Sequence, residues 1–164
     1  MEEAAYCMEQ ATERCKMYCG EKNQIYSAMS EELARMYNAA GRREESLACH
    51  LAVRNQLLKN GYREGSILLM VDNNMSVVYL DLGRPEEAIP YLTEALELAK
   101  ENGLVGPAVA EPTWNLARVY RALGDEEKED IYLKVAVEGF RECYPPEHPK
   151  RIAAEQRLKE HQGE

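Results

Sequence analysis

Five cysteines (Cys7, Cys15, Cys19, Cys49, Cys143) and three histidines (His50, His148, His161) are the residues best suited to metal or redox chemistry. No two cysteines have CxxC spacing, and only Cys15 and Cys19, four apart, could share one helix face. A metal needs ligands that converge, and the scattered histidines add no cluster, so we expect no metal site and no cofactor. The cysteines then read as small buried hydrophobes in a reducing compartment. Acidic runs such as Glu2-Glu3 and Asp125-Glu126-Glu127 fall at helix starts, where they complement the helix dipole. No GxSxG, P-loop, GxGxxG or HExxH pattern occurs, and we expect no enzyme. Arg118 and Arg121, three apart on one face, could clasp a partner's carboxylate. The more ordinary reading is that the pair stays solvated or weakly paired with nearby acids.

The chain that must position these residues has 164 of them, enough for one domain or one block of a repeat array. With 45% apolar and 30% charged residues it can bury a continuous core, and its composition is not that of a disordered chain. A net charge of -9 argues against nucleic acid as the main partner, because phosphate contacts need a basic face. No apolar run approaches the roughly 18 residues of a membrane span. The N-terminus is acidic where a signal peptide would be basic, so the expected location is cytoplasmic.

An internal period predicts the architecture. Leu33-Ala34-Arg35-Met36-Tyr37 precedes Gly41, Met75-Ser76-Val77-Val78-Tyr79 precedes Gly83, and Leu116-Ala117-Arg118-Val119-Tyr120 precedes Gly124. The glycines are 42 and 41 positions apart. In each block a small residue (Ala34, Ser76, Ala117) lets a paired helix approach, and a tyrosine fills the space nearly one turn later. The glycine then closes the helix end in a left-handed conformation. After each glycine a second amphipathic run follows, clearest in Ala88, Tyr91, Leu92, Ala95 and Ala99, which recur at three and four.

These blocks resemble the tetratricopeptide repeat (TPR) family, and their period near 42 is similar to the longer repeats of kinesin light chains and their bacterial relatives. Asp72-Asn73-Asn74-Met75-Ser76 and Thr113-Trp114-Asn115-Leu116-Ala117 stand where that pattern reads Leu-Asn-Asn-Leu-Ala, and Pro146-Glu147-His148-Pro149 is similar to its entry into a first helix. The resemblance implies an all-α fold, a right-handed superhelix of antiparallel helix hairpins, or TPR-like α-solenoid. Residues 1–164 then form a single array of about three and a half hairpins. Its parts are a second helix of a partial repeat (1–20), repeats at 24–61, 66–103 and 107–144, and a terminal helix at 149–162. The expected helices are 2–19, 24–40, 43–60, 66–82, 85–102, 107–123, 125–143 and 149–161.

Several residues depart from the pattern. Ser46 and His50 replace the apolar Ala88 and Leu92 of the next repeat, which predicts looser packing there, and Glu129 also takes the place of Ala88. Pro112 predicts a kink or a later start for its helix. Lys159 replaces the small residue Ala117, so the last helix is expected to lack a close partner.

In the family resembled, first helices line a concave groove, and the residues just before the Leu-Ala pair and about a turn after it face a ligand. Carried over by position, this implies a peptide-binding groove of Arg35, Asn38, Asn73, Asn74, Val77, Asp81, Trp114, Asn115, Arg118 and Arg121, with Glu31, Glu32 and Leu80 at equivalent places. An asparagine amide can both donate to and accept from a peptide backbone, which favours Asn74 and Asn115. Bonding between neighbouring helices is the alternative. Trp114, the sole tryptophan, could anchor a peptide or simply pack. Tyr37, Tyr79 and Tyr120 follow the repeat and read as core, with Tyr6, Tyr26, Tyr91 and Tyr132 as fillers between helices. The function expected is a scaffold binding a protein or peptide partner of unknown identity. The alternatives are a peptide-sensing regulatory domain of a larger bacterial protein, or a self-association module forming a homodimer through unpaired end helices.

Overall fold

A computed structural model describes residues 2–61 and 66–163, and among them the secondary structure is entirely helical. The helices are α1 (Glu2–Cys19), α2 (Gln24–Ala39), α3 (Arg43–Lys59), α4 (Ser66–Asp81), α5 (Pro85–Glu101), α6 (Pro107–Leu123), α7 (Glu126–Cys143) and α8 (Pro149–Gln162). Each expected helix is present with its ends within one residue of the expectation. The chain divides into two compact units, Met1–Gly83 and Arg84–Glu164, so that α1–α4 belong to the first and α5–α8 to the second.

Local chemistry sets the helix ends. Asn23 caps α2 by accepting from the Ile25 amide at 2.8 Å, and Asp125 caps α7 by accepting from the Lys128 amide at 3.1 Å. Pro85, Pro107 and Pro149 open their helices, where a missing N–H costs nothing. At the other end, Gly41, Gly83 and Gly124 have φ of 80°, 71° and 74°, the left-handed closure that the repeat pattern predicts. Beyond Gly41 the Arg42 amide returns to the Tyr37 carbonyl at 2.9 Å, and beyond Gly124 the Asp125 amide returns to Tyr120 at 3.0 Å. Pro112 does not delay α6, which begins at Pro107 and continues past it to Leu123.

In the first unit consecutive helices pack pairwise, and the two first helices α2 and α4 also touch. The small-residue positions are sealed: Ala34 and Ser76 are fully buried. Ser46 does not loosen the packing as expected. Its hydroxyl donates to the Ala34 carbonyl at 2.7 Å, so a polar side chain sits in the hairpin interior with its hydrogen bond made. Tyr37 is buried, donates to Glu9 Oε1 at 2.7 Å, and carries the Arg42 guanidinium 4.2 Å above its ring. Burial, followed by that bond, pushes its hydroxyl pKa upward. Tyr6 corrects the expectation of a filler, since it is 61% exposed on α1.

In the second unit α5–α6, α6–α7 and α7–α8 pack in turn, and Ala110 and Ala117 of α6, Leu133, Val137 and Phe140 of α7 and Ala154 of α8 form a core cluster. Burying a side chain such as Phe140 or Leu133 stabilises by roughly 1.5–3 kcal/mol relative to exposure. Gly139 lets α7 close on α6: a Cβ built there would stand 2.9 Å from Ala110 Cβ. Tyr120 is only half-buried and stacks on Tyr132 at 5.4 Å, so the third repeat tyrosine is less interior than Tyr37 and Tyr79. The last helix has a partner on one side. Ala154 is fully buried in the core that α7 shares, while Ile152 and Lys159 are exposed.

The cysteines depart from expectation. All five are free, but Cys7 and Cys19 are exposed and the other three are half-buried, so none is a fully interior hydrophobe. Both lie on α1, whose buried residues are small (Ala5, Thr12), and the expected second-helix packing does not cover them.

Candidate functional site

Two concave sites, one in each unit, collect most of the residues singled out from the sequence. In the first unit Arg35, Asn38, Asn74 and Val77 line one cavity of about 410 Å³, together with Glu32 and His50. Helices α2 and α4 supply its walls because both present their groove positions at three- and four-residue intervals toward the same side. His50 of α3 lines it as well.

Behind the lining, and bonded to two of its residues, lies Glu31, which is 3% exposed. Its Oε1 lies 2.7 Å from His50 Nδ1, and its Oε2 accepts from Asn74 Nδ2 at 3.3 Å. Three helices are thereby tied through one carboxylate. His50, expected to loosen the packing, is instead 1% exposed and hydrogen-bonded. Asn74 bonds across helices, which was the alternative to ligand contact, and this bond fixes how its amide is presented. Arg35 is exposed and paired with Glu32 at 2.9 Å. Asn38 donates a long 3.4 Å bond to Asp81, and its own Oδ1 is buried with no hydrogen-bond partner among the described residues. Asp81 is exposed at the end of α4. Asn73 stands apart from the cavity lining, half-buried, with its carbonyl accepting from the Ser76 hydroxyl at 2.6 Å. A buried ion pair, Arg54 Nε to Asp72 Oδ1 at 2.7 Å, joins α3 to α4.

In the second unit Trp114, Arg118 and Arg121 line a smaller cavity of about 90 Å³ with Glu129 and Arg157. Trp114 is half-buried, its ring 6.4 Å from that of Phe140, so it packs and lines the cavity at once. Asn115 is 4% exposed and accepts from Arg118 Nη1 at 3.0 Å. Its surroundings are those of an interior residue that positions Arg118. Glu129 is 3% exposed and accepts from Arg157 Nε at 2.6 Å, and this bond raises the arginine's pKa further. Neither Glu129 nor Arg157 was assigned to a site from sequence. The signal was present in Glu129, an acid at a small-residue position, which needs a buried cation to face it.

Comparison with known proteins places this geometry. Residues 67–142 match the model of the tetratricopeptide repeat family. The TPR resemblance read from the repeat blocks is thus shown, and the chain's fold is a TPR-like α-solenoid. It is similar over 99% of its length to a kinesin-light-chain-type protein with nearly identical TPR-like repeats from Podosopora anserina. That match has a TM-score of 0.81 at 23% identity and covers 78% of the other chain. BtubC from P. vanneervenii is similar over the same share, with TM-score 0.78, 18% identity and 73% of its chain covered. In sequence, 87 residues are 34% identical to the Fanconi anemia group G protein homolog of Mus musculus. The match covers 53% of this chain but spans only 13% of that protein's length. TPR folds generally serve as scaffolds for protein–protein interaction, and among the described residues no helix is long and apolar enough to cross a membrane.

Proposed function

We propose that the chain is a peptide-binding TPR module that seats an extended segment of a partner protein in the cavity of its first unit. The observation that carries this reading is the convergence of Arg35, Asn38, Asn74 and Val77 on a single space of about 410 Å³. A pocket of a few hundred cubic ångströms with few polar groups and apolar walls is the usual form of a binding site. The buried Asn38 Oδ1 supports the reading further, because a backbone N–H from a peptide would complete its hydrogen bonding. The Asn74 amide is held in place by Glu31, so it need not be ordered on binding.

A random-sequence peptide array probed with the full chain tests this. Val77→Arg, which fills the cavity, and Asn38→Ala, which removes the acceptor, are expected to weaken captured peptides by about tenfold or more, as one lost polar anchor implies. Binding that survives both changes rejects the site.

A second reading, self-association, rests on α1. Tyr6 and Met17 are three turns apart on one face, with Tyr18 beside them, and all three are more than 60% exposed. Sedimentation of a monomer at high concentration would remove it.

A further inference from the structure

We propose that Cys15 and Cys19 form a two-sulfur site for copper(I) at the C-terminal end of α1. Both cysteines are free, Cys19 exposed and Cys15 half-buried. They stand four residues apart on one helix, slightly more than a turn, so their sulfurs leave the same face. The two thiols are hydrogen-bonded to each other. Removal from water, followed by that bond, pushes the Cys15 thiol above its ordinary pKa. The pair is thus in contact in the folded chain. It lies outside both cavities described above, neither of which is lined by a cysteine.

Helix geometry decides between the two reactions open to such a pair. Cβ atoms four residues apart on a helix are separated by about 5–6 Å. A disulfide needs about 3.5–4.5 Å, so forming one would distort the end of α1. An ion with metal–sulfur bonds of about 2.3 Å holds its two sulfurs up to roughly 4.6 Å apart and leaves the helix intact. The number of ligands then selects the ion. Structural zinc takes four, and among the described residues no group of three His, Cys, Asp or Glu could hold a metal. Thiolates favour copper(I), which two sulfurs in line can satisfy. Cys7 lies roughly 12 Å along the helix from Cys15, too far to join. Binding forms two copper–sulfur bonds and releases both thiol protons to solvent; the copper stays monovalent and nothing is oxidised. The product carries one negative charge. Around it Glu13 and Glu21 offset Arg14 and Lys16, with Lys16 Nζ 2.7 Å from Glu21. From the neighbouring helices Tyr26 acts on Lys16 and Lys59 on Glu21, so the surroundings are not acidic enough to repel the complex.

The reduced full chain, kept free of oxygen, can be titrated into copper(I) held as its coloured bicinchoninate complex. It is expected to withdraw one equivalent of copper per chain. Cys15→Ser and Cys19→Ser should each withdraw none, whereas Cys7→Ser should match the parent, with circular dichroism unchanged in all three. Uptake that survives in the Cys15 or the Cys19 variant overturns the inference, and so does uptake that needs Cys7. Half an equivalent per chain overturns it as well, by placing the ion between two copies. Equally tight zinc(II) binding by the same pair would reveal further ligands and reject the two-sulfur site. Hydrogen exchange tests the geometry. Copper should leave amide exchange over residues 15–20 no faster, while any Cys15–Cys19 disulfide made with glutathione disulfide should speed it. A disulfide that forms with exchange unchanged removes the reason for preferring an ion.

Discussion

Glu31 shows how a charged side chain is accommodated inside a small helical unit. Taking a carboxylate out of water costs several kcal/mol, and the cost is met only if its lone pairs are used. Here His50 and Asn74 use them, at 2.7 and 3.3 Å. Removing one partner should therefore hurt more than removing both members of the hydrogen-bonded pair. His50→Leu is expected to destabilise the fold by about 3–5 kcal/mol, and the double change Glu31→Leu/His50→Leu by clearly less. Urea unfolding of the two single variants and the double variant measures the coupling. If the two single effects simply add, the pair does not work as a unit. This network was not legible in the sequence. His50 and Glu31 are 19 positions apart, and the repeat alignment could mark His50 only as a polar residue at an apolar place. The same holds for Asn115, whose amide matches the family's groove position while Arg118 and the helix packing enclose it.

At the scale of helices, the period carried almost everything. A small residue, a tyrosine and a glycine at constant spacing define one helix end three times, and the ends found are those expected. What the period could not reveal is how near two helix backbones come. Gly139 has no place in the repeat pattern, yet it is where α7 touches Ala110 of α6. Helix propensity alone would make Gly139→Ala stabilising by about 0.8–1 kcal/mol. A Cβ contact of 2.9 Å says the opposite. Overpacking of that kind costs about 1–3 kcal/mol, so steric cost should win and Gly139→Ala should lower stability. A gain in the denaturation midpoint would show that α7 shifts freely and that the close contact is unimportant.

Across the molecule, carboxylates held by cations link stability to acidity. Glu155 is gripped by Arg141 at 2.8 Å and Arg151 at 3.2 Å, and the Arg141 bond first of all holds its pKa below the ordinary value. Glu45, Glu87 and Asp125 are lowered likewise by Arg42, Arg84 and Lys128. A depressed folded value means the stabilisation is complete above the free carboxylate's value, about 4, and is lost as pH falls through the lower folded value. The melting temperature should accordingly drop below about pH 4. Glu155→Gln should melt lower than the parent at neutral pH, with the gap closing in acid; a gap that persists there would show a packing effect in place of an ionic one. Each such surface pair contributes little alone.

The hairpins share one plan but not one set of fastenings. In one, α3 is fastened to α2 by a serine hydroxyl and a histidine–glutamate contact, while α7 is fastened to the terminal helix α8 by a glutamate–arginine pair; in α5 the corresponding Ala88 and Leu92 are apolar and fully buried. A protein engineer who averaged these repeats into a consensus would delete one half of each fastening and strand the other half indoors. Units grafted from elsewhere in the chain would meet the same obstacle: a borrowed helix brings the right outline but the wrong clasp.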